Sequence, residues 1–150
     1  MRVVVQRVSQ SNVKVSGEVI GEINEGLMVL VSFVDEDNDT DLDWMTKKII
    51  NLRIFNDDEG KMNRSVQDIG GDILLISQFT LHGSTKKGNR PSFIKAAKPD
   101  FAKVMYERFI KVLEQSLGKE IQTGEFGGDM KVSLINDGPT TIIIDSKDKE

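Results

Sequence analysis

A chain of 150 residues with 38% hydrophobic and 29% charged side chains has the size and makeup of one folded domain, large enough to bury a core without cross-links. It has no cysteine and one histidine, which excludes disulfides, thiolate metal sites, a cysteine nucleophile and a two-histidine metal centre. Its net charge of −4 argues against a protein that coats nucleic acid indiscriminately, and no apolar run reaches the ~18 residues of a membrane span.

Val3–Val8 predicts a first strand, and Val13–Val15 with Val19–Ile23 a hairpin about Ser16-Gly17. The apolar run from Leu27 to Val34 predicts a strand buried on both faces. Between Asp35 and Asp43 lie six acids and no base. A calcium loop there fails on detail, since Thr40 stands where the turn glycine belongs and Thr46 where the bidentate Glu belongs. The acids instead suit the start of a helix from Thr40 to Leu52, capped by Asp39 or Thr40, with Leu42, Met45, Ile49 and Leu52 facing inward. Arg53-Ile54-Phe55 is extended and ends in the turn Asn56–Gly60.

Asp72–Phe79 predicts a second buried strand whose polar residues gather at its carboxyl end, a common place for a site in α/β proteins. Ser77, Gln78, Phe79 and Thr80 are the candidates, with main-chain N–H groups able to stabilise an oxyanion. Thr80 has no neighbouring base in sequence to activate it, and a strand end whose hydroxyls cap a turn is the plainer reading. His82 reads as a bystander in a polar loop, because no Gly-x-Ser-x-Gly elbow accompanies it. Lys86, Lys87, Arg90, Lys95 and Lys98 follow without an acid among them, and Phe93 sits in their midst. This stretch is a solvated loop or a local phosphate-binding patch.

Pro99 opens the most regular helix, with Phe101, Val104, Met105, Phe109, Val112, Leu113 and Leu117 on one face and Gly118 at its end. Three strands close the chain, Ile121–Thr123, Met130–Leu134 and Thr140–Ile144, before a tail, 146–150, expected to be loose. Gly124-Glu125-Phe126-Gly127-Gly128 is a bulge or a mount for Phe126 as a lid over a flat ligand. Asn136-Asp137-Gly138-Pro139 lies between the last two strands, where Asp-Gly signals a hairpin and Pro139 disturbs it. Backbone carbonyls there point away from the sheet with no side chain at Gly138 to cover them, either a turn or a means of holding a ligand by main-chain oxygens. Arg7 reads as a salt-bridged surface residue. The fold class is α/β: mixed β-sheets in the order ββ-βα-βα-βββ, helices packed on one side, one compact domain over residues 1–150.

Six motifs in order, Met1–Val8, Gly60–Asn63, Ser77–Leu81, Arg90–Phe93, Thr123–Phe126 and Asn136–Pro139, resemble the D-aminoacyl-tRNA deacylase family nearly end to end. Departures are mild: Gly128 stands where Ala is usual and Thr140 where Val is usual. The resemblance implies a cytoplasmic homodimer, without cofactor or metal, that hydrolyses the ester between tRNA and a D-amino acid or glycine. The opening residues also lack the apolar core of a secretion signal, which fits that location. By the same analogy Gly138-Pro139 is cis and enters the partner's site, where its carbonyls hold the substrate amine and an L side chain clashes. Arg7 would orient that step and Asn136 would belong to the same substrate-binding group. Ser77–Thr80 would line the ester, Phe126 and Met130 would enclose the adenosine and aminoacyl end, and Lys86, Lys87 and Arg90 would meet tRNA phosphates. The alternatives are a non-enzymatic nucleotide- or RNA-binding module and a deacylase for mischarged L-alanyl-tRNA.

Overall fold

The computed structural model describes residues 1–150. Strands β1 (Arg2–Val15), β2 (Glu18–Ile23), β3 (Gly26–Ser32), β6 (Asp72–Ser77), β7 (Gln122–Thr123) and β8 (Met130–Asp145) form one mixed sheet. Helices α1 (Asp39–Asn51) and α2 (Pro99–Leu117) pack against one another on one side of it. A small ribbon, β4 (Phe55–Asn56) with β5 (Met62–Arg64), falls between α1 and β6 and was not expected from the sequence. The α/β class, the mixed sheet and the one-sided helices are as read from the sequence.

β3 and β6 are buried on both faces, and the alternating direction of their side chains explains the layers. Leu27, Val29 and Val31 with Ile73 and Leu75 face the helices, where Met45, Ile49, Met105, Phe109 and Leu113 complete the main core. Met28, Leu74 and Ile76 face the other way, onto Val8, Val13 and Ile23, and the long strand β8 adds Met130, Val132 and Leu134 to that second cluster. β1 makes this possible by serving two parts of the sheet. Its first half pairs with β3, its second half with β2, and β8 follows it along nearly its whole length.

Several boundaries differ from expectation, β1 among them, which is one strand where two were expected. The two closing strands expected on either side of Asn136–Pro139 are one: β8 runs through as a single strand, paired to β1 on both sides, with shifts in register beside Arg7. The helix cap is Asn38, whose side chain accepts from the Thr40 N–H at 2.9 Å while Asp41 accepts from the Asn38 N–H at 3.0 Å. Val104 is 46% exposed because the buried line of α2 runs through Met105, Phe109 and Leu113, one position away.

The tail is tied down rather than loose. The Met1 ammonium donates to Asp37 at 2.5 Å and to Ser146 Oγ at 2.9 Å, and Lys147 reaches Asp41 at 2.8 Å. Lys149 also stacks over the Trp44 ring. The acids before and within α1 therefore gather both ends of the chain. Burial opposes ionisation of Asp41, but its bonds from Lys147, Ser146 and the Asn38 N–H outweigh that and hold its pKa below the usual carboxylate value.

His82 is no bystander. It is 7% exposed, and its Nδ1 lies 2.6 Å from Ser32 Oγ, which also donates to the Phe79 carbonyl at 3.3 Å. The pair fastens the 3₁₀ turn Phe79–His82 to the end of β3. Burial first, then the nearby Arg2 and N-terminal charges, depress the His82 pKa below its ordinary 6.5; Asp145 and Asp37 oppose this less strongly. The unfolded chain therefore binds the proton more readily, so this contribution is complete above that ordinary value and is lost as pH falls toward the depressed native one. The denaturant midpoint of the wild-type chain falls between about pH 7 and about pH 5, and the fall is smaller in His82→Asn. An equal fall in both chains contradicts this role.

Candidate active site

The carboxyl end of β6 builds one half of the candidate site. The Gln78 N–H donates to the Val31 carbonyl at 2.7 Å, holding the chain on β3 as it leaves the sheet. The 3₁₀ turn then closes through Leu81 N–H to Gln78 O at 3.2 Å and Gly83 N–H to Thr80 O at 2.9 Å. Phe79 and Thr80 head this turn, where the first amides have no partner within the turn itself. Phe79 and Thr80 are exposed, and Ser77 and Gln78 are half-buried. The Gln78 amide N–H donates to Thr80 Oγ1. An amide N–H cannot accept a proton, and no imidazole or carboxylate bonds the Thr80 hydroxyl.

Two residues from distant parts of the sequence flank the same strand end. Tyr106 on α2 donates its hydroxyl to the Leu75 carbonyl at 2.8 Å, and Phe126 packs on the Tyr106 ring with centroids 5.7 Å apart. Burial raises the Tyr106 pKa far above its ordinary value, so this hydroxyl stays a donor. The Gly124 N–H reaches the Leu75 carbonyl at 3.3 Å, and Met130 Sδ lies over Gly124, 2.5 Å from where a Cβ would stand. Phe126 and Met130 thus border the end of β6, half-buried. Beyond the turn, Ser84 and Ser92 exchange backbone bonds of 2.8 and 2.9 Å and close an exposed ribbon carrying Lys86, Lys87 and Arg90.

The other half lies on β8. Asp137, Gly138 and Pro139 are exposed, and the Gly138-Pro139 peptide is cis. Arg7 is not a surface residue. It is 8% exposed, donates Nε to Asp137 O at 2.7 Å and Nη1 to Ile54 O at 2.6 Å, and has no carboxylate partner. The Asn136 side chain is engaged within the loop rather than free. Its Oδ1 accepts from Thr140 N–H at 2.7 Å, and its amide donates to Thr141 Oγ1 at 2.9 Å and Thr140 O at 3.3 Å. Gly138 has φ +145, and a Cβ there would stand 2.5 Å from Thr140 Oγ1 and 3.0 Å from Arg7 Nη2. No other residue fits this backbone without displacing the clamp.

These halves do not meet within one chain. Register aligns Arg7 with Leu27 and Ile73, four residues before Ser77 along β6. Two further strands, β1 and β3, separate β8 from β6. At about 3.3 Å per residue and about 4.8 Å per strand, Gly138 and Ser77 lie roughly 20 Å apart across the sheet. A concavity of about 670 Å³ lies elsewhere, lined by Arg2, Val4, Trp44, Leu81, Ile142 and Ile144 among others.

Sequence reading missed the Ser32–His82 brace and the Tyr106 prop. A lone serine closing the apolar run of β3 was the available signal for the first. For the second there was none, because Tyr106 falls outside the apolar face read for that helix and its partner is a main-chain carbonyl. The backbone partners of Arg7 were also unreadable, since Ile54 contributes its carbonyl and not its side chain.

Comparison with known proteins bears on these features together. A family model described as D-Tyr-tRNA(Tyr) deacylase matches residues 4–145. A D-aminoacyl-tRNA deacylase of Flavobacterium johnsoniae is 62% identical over 150 residues, covering 100% of both chains, and one of Bacteroides thetaiotaomicron is 58% identical over the same span. Among solved structures, a c-Myc DNA unwinding element binding protein superposes with a TM-score of 0.92 at 41% identity, covering 97% of this chain and 98% of that one. A probable eukaryotic D-amino acid tRNA deacylase shares the fold, with a TM-score of 0.82 at 21% identity over 95% of this chain and 97% of that one. With the family model spanning nearly the whole chain and full-length relatives this similar, the protein belongs to the D-aminoacyl-tRNA deacylase family.

Proposed function

We propose that this protein hydrolyses the ester of D-aminoacyl-tRNA and of glycyl-tRNA, and spares L-aminoacyl-tRNA, in a homodimer whose sites are completed across subunits. The observation that carries this reading is the exposed Gly138-Pro139 backbone, clamped by Arg7 and Asn136 on β8, with β1 and β3 between it and β6 of its own chain. Such a loop has nothing to act on within its own subunit and suits insertion beneath Ser77–Thr80 of a second one. There the carbonyls of Gly138 and Pro139 accept hydrogen bonds from the substrate α-amino group. A D side chain or the hydrogen of glycine points away from the main chain, and an L side chain collides with it. Specificity then comes from rejection, and the side chain itself goes unread.

In hydrolysis, water adds to the ester carbonyl carbon, the bond to the ribose 3′ oxygen breaks, and free amino acid and tRNA with a 3′-hydroxyl leave. Main-chain N–H groups at the head of the 3₁₀ turn stabilise the oxyanion as the tetrahedral centre forms. Thr80 is not the nucleophile in this account, because its hydroxyl meets the Gln78 amide donor and no base. The 2′-hydroxyl of the terminal ribose assists the water instead. Phe126 and Met130 enclose the terminal adenosine, and Lys86, Lys87 and Arg90 meet backbone phosphates. The dimer acts in the cytoplasm on its tRNA substrates.

Incubation with D-Tyr-tRNA, Gly-tRNA and L-Tyr-tRNA hydrolyses the first two and leaves the third. Binding without turnover points to a plain RNA-binding module, and turnover of L-Ala-tRNA alone points to the L-alanyl branch. Thr80→Ala changes kcat less than about tenfold, whereas removing a true nucleophile costs on the order of 10⁴ or more. A D-Tyr-tRNA with a 2′-deoxy terminal ribose is not turned over. A dead Thr80→Ala chain of native fold restores the nucleophile role.

Gly138→Ala places a methyl against Thr140 Oγ1 and Arg7 Nη2. Its kcat/KM on D-Tyr-tRNA falls about 100-fold, as expected for a displaced positioning group, and its melting curve stays cooperative. Wild-type turnover in this variant removes the backbone from the mechanism.

A further inference from the structure

Next to the candidate ester site the chain exposes apolar rings that the proposed chemistry does not use. Phe79 is 57% exposed, Phe93 37% and Ile94 93%. The two rings meet edge to face, 5.1 Å between centroids and 74° between planes. They are a built pair, not a chance contact. Phe93 follows the Ser84–Ser92 closure, and its ring lies so close to Gly83 that a Cβ there would stand 2.9 Å from it. The Ser32 bond to the Phe79 carbonyl fixes the other partner.

The surroundings indicate what this surface takes. Lys86, Lys87, Arg90, Lys95 and Lys98 are all exposed, have no acid between them in sequence, and enter none of the ion pairs of the structure, in a chain of net charge −4. Unpaired cations around exposed aromatic faces match single-stranded nucleic acid, whose bases stack on rings while its phosphates meet the charges. A protein partner of ordinary mixed charge would leave most of these cations without a counter-charge.

Resting on the deacylase reading, we propose that the Phe79–Phe93 pair with Ile94 is a stacking platform for an unpaired nucleotide of the tRNA 3′ strand just before the terminal adenosine. Phe79 adjoins Thr80, so a strand whose last nucleotide presents its ester there passes directly over the pair. The five cations hold the phosphates on either side. The platform binds the strand without reading its sequence, because every base offers a π-face, and it lowers KM for whole tRNA.

The test compares D-Tyr-tRNA with D-tyrosyl-adenosine, the terminal nucleoside ester alone. Wild-type protein hydrolyses both; failure on both overturns the deacylase reading itself and is thereby distinguished from failure of the platform. Phe93→Ala raises KM for D-Tyr-tRNA roughly tenfold or more with little change in kcat, and kcat/KM on D-tyrosyl-adenosine shifts far less. Phe93→Tyr keeps the ring and restores KM. Ile94→Asp, at a position too exposed to affect folding, raises KM for D-Tyr-tRNA in the same selective way. Equal losses on both substrates, no loss on either, failure of Tyr to rescue, or a shift of Phe93→Ala to smaller mass in sedimentation overturns the platform, the last by making this face a contact between chains.

Discussion

The buried Arg7 guanidinium is the constraint on which the rest of the candidate site depends. A guanidinium offers five donors in a fixed plane and stays charged at any relevant pH. Here Nε and Nη1 are taken by two main-chain carbonyls, Asp137 O and Ile54 O, with no carboxylate to neutralise the charge. Burying an unpaired cation is costly, so such an arrangement persists where it holds something of use. What it holds is the backbone bulge of β8, at the point where β8 and β1 slip out of register. Asn136 closes the bulge from the other side, so Gly138 and Pro139 project as a rigid loop made of main chain.

The sheet then decides where that loop can act. β6 carries its functional residues at the carboxyl end, and β8 carries the loop level with the amino end of β6, with β1 and β3 between them. Within the proposed reading, the same rigidity that separates the halves in one subunit gives each half a fixed geometry to present to another. In that reading, rejection of L substrates by a backbone is only as good as the immobility that the Arg7 clamp gives it.

Much of this was legible in the sequence, for identifiable reasons. The runs Leu27–Val34 and Asp72–Phe79 announced strands covered on both faces, and the polar end of the second announced Ser77–Thr80. Pro99 and Gly118 bracketed α2 within a residue of its observed ends. The two closing strands are one because Asp-Gly and Pro139 record only local preferences, whereas the pairing of β8 with a single long strand on both sides of them is set by tertiary contacts. Arg7 looked like a surface cation because its partners are carbonyls, which leave no trace in side-chain identity. Ser32 and His82 are separated by 50 positions, and only the fold shows them as one brace under the turn that carries Phe79 and Thr80. The tail looked free because its attachments, Asp37 and Asp41, lie more than a hundred residues earlier.

Complementation between two crippled chains tests the central claim most directly. One chain carries Gly138→Ala and keeps its Ser77–Thr80 segment; the other carries Ser77→Trp, blocking that segment, and keeps its Gly138-Pro139 loop. Alone, the first keeps about one hundredth of wild-type kcat/KM on D-Tyr-tRNA and the second has none. If the loop of one subunit completes the site of another, co-expression forms mixed dimers with one intact site, and random pairing restores roughly a quarter of wild-type activity. Mixed dimers that form and remain as inactive as their parents would contradict a filter acting across subunits.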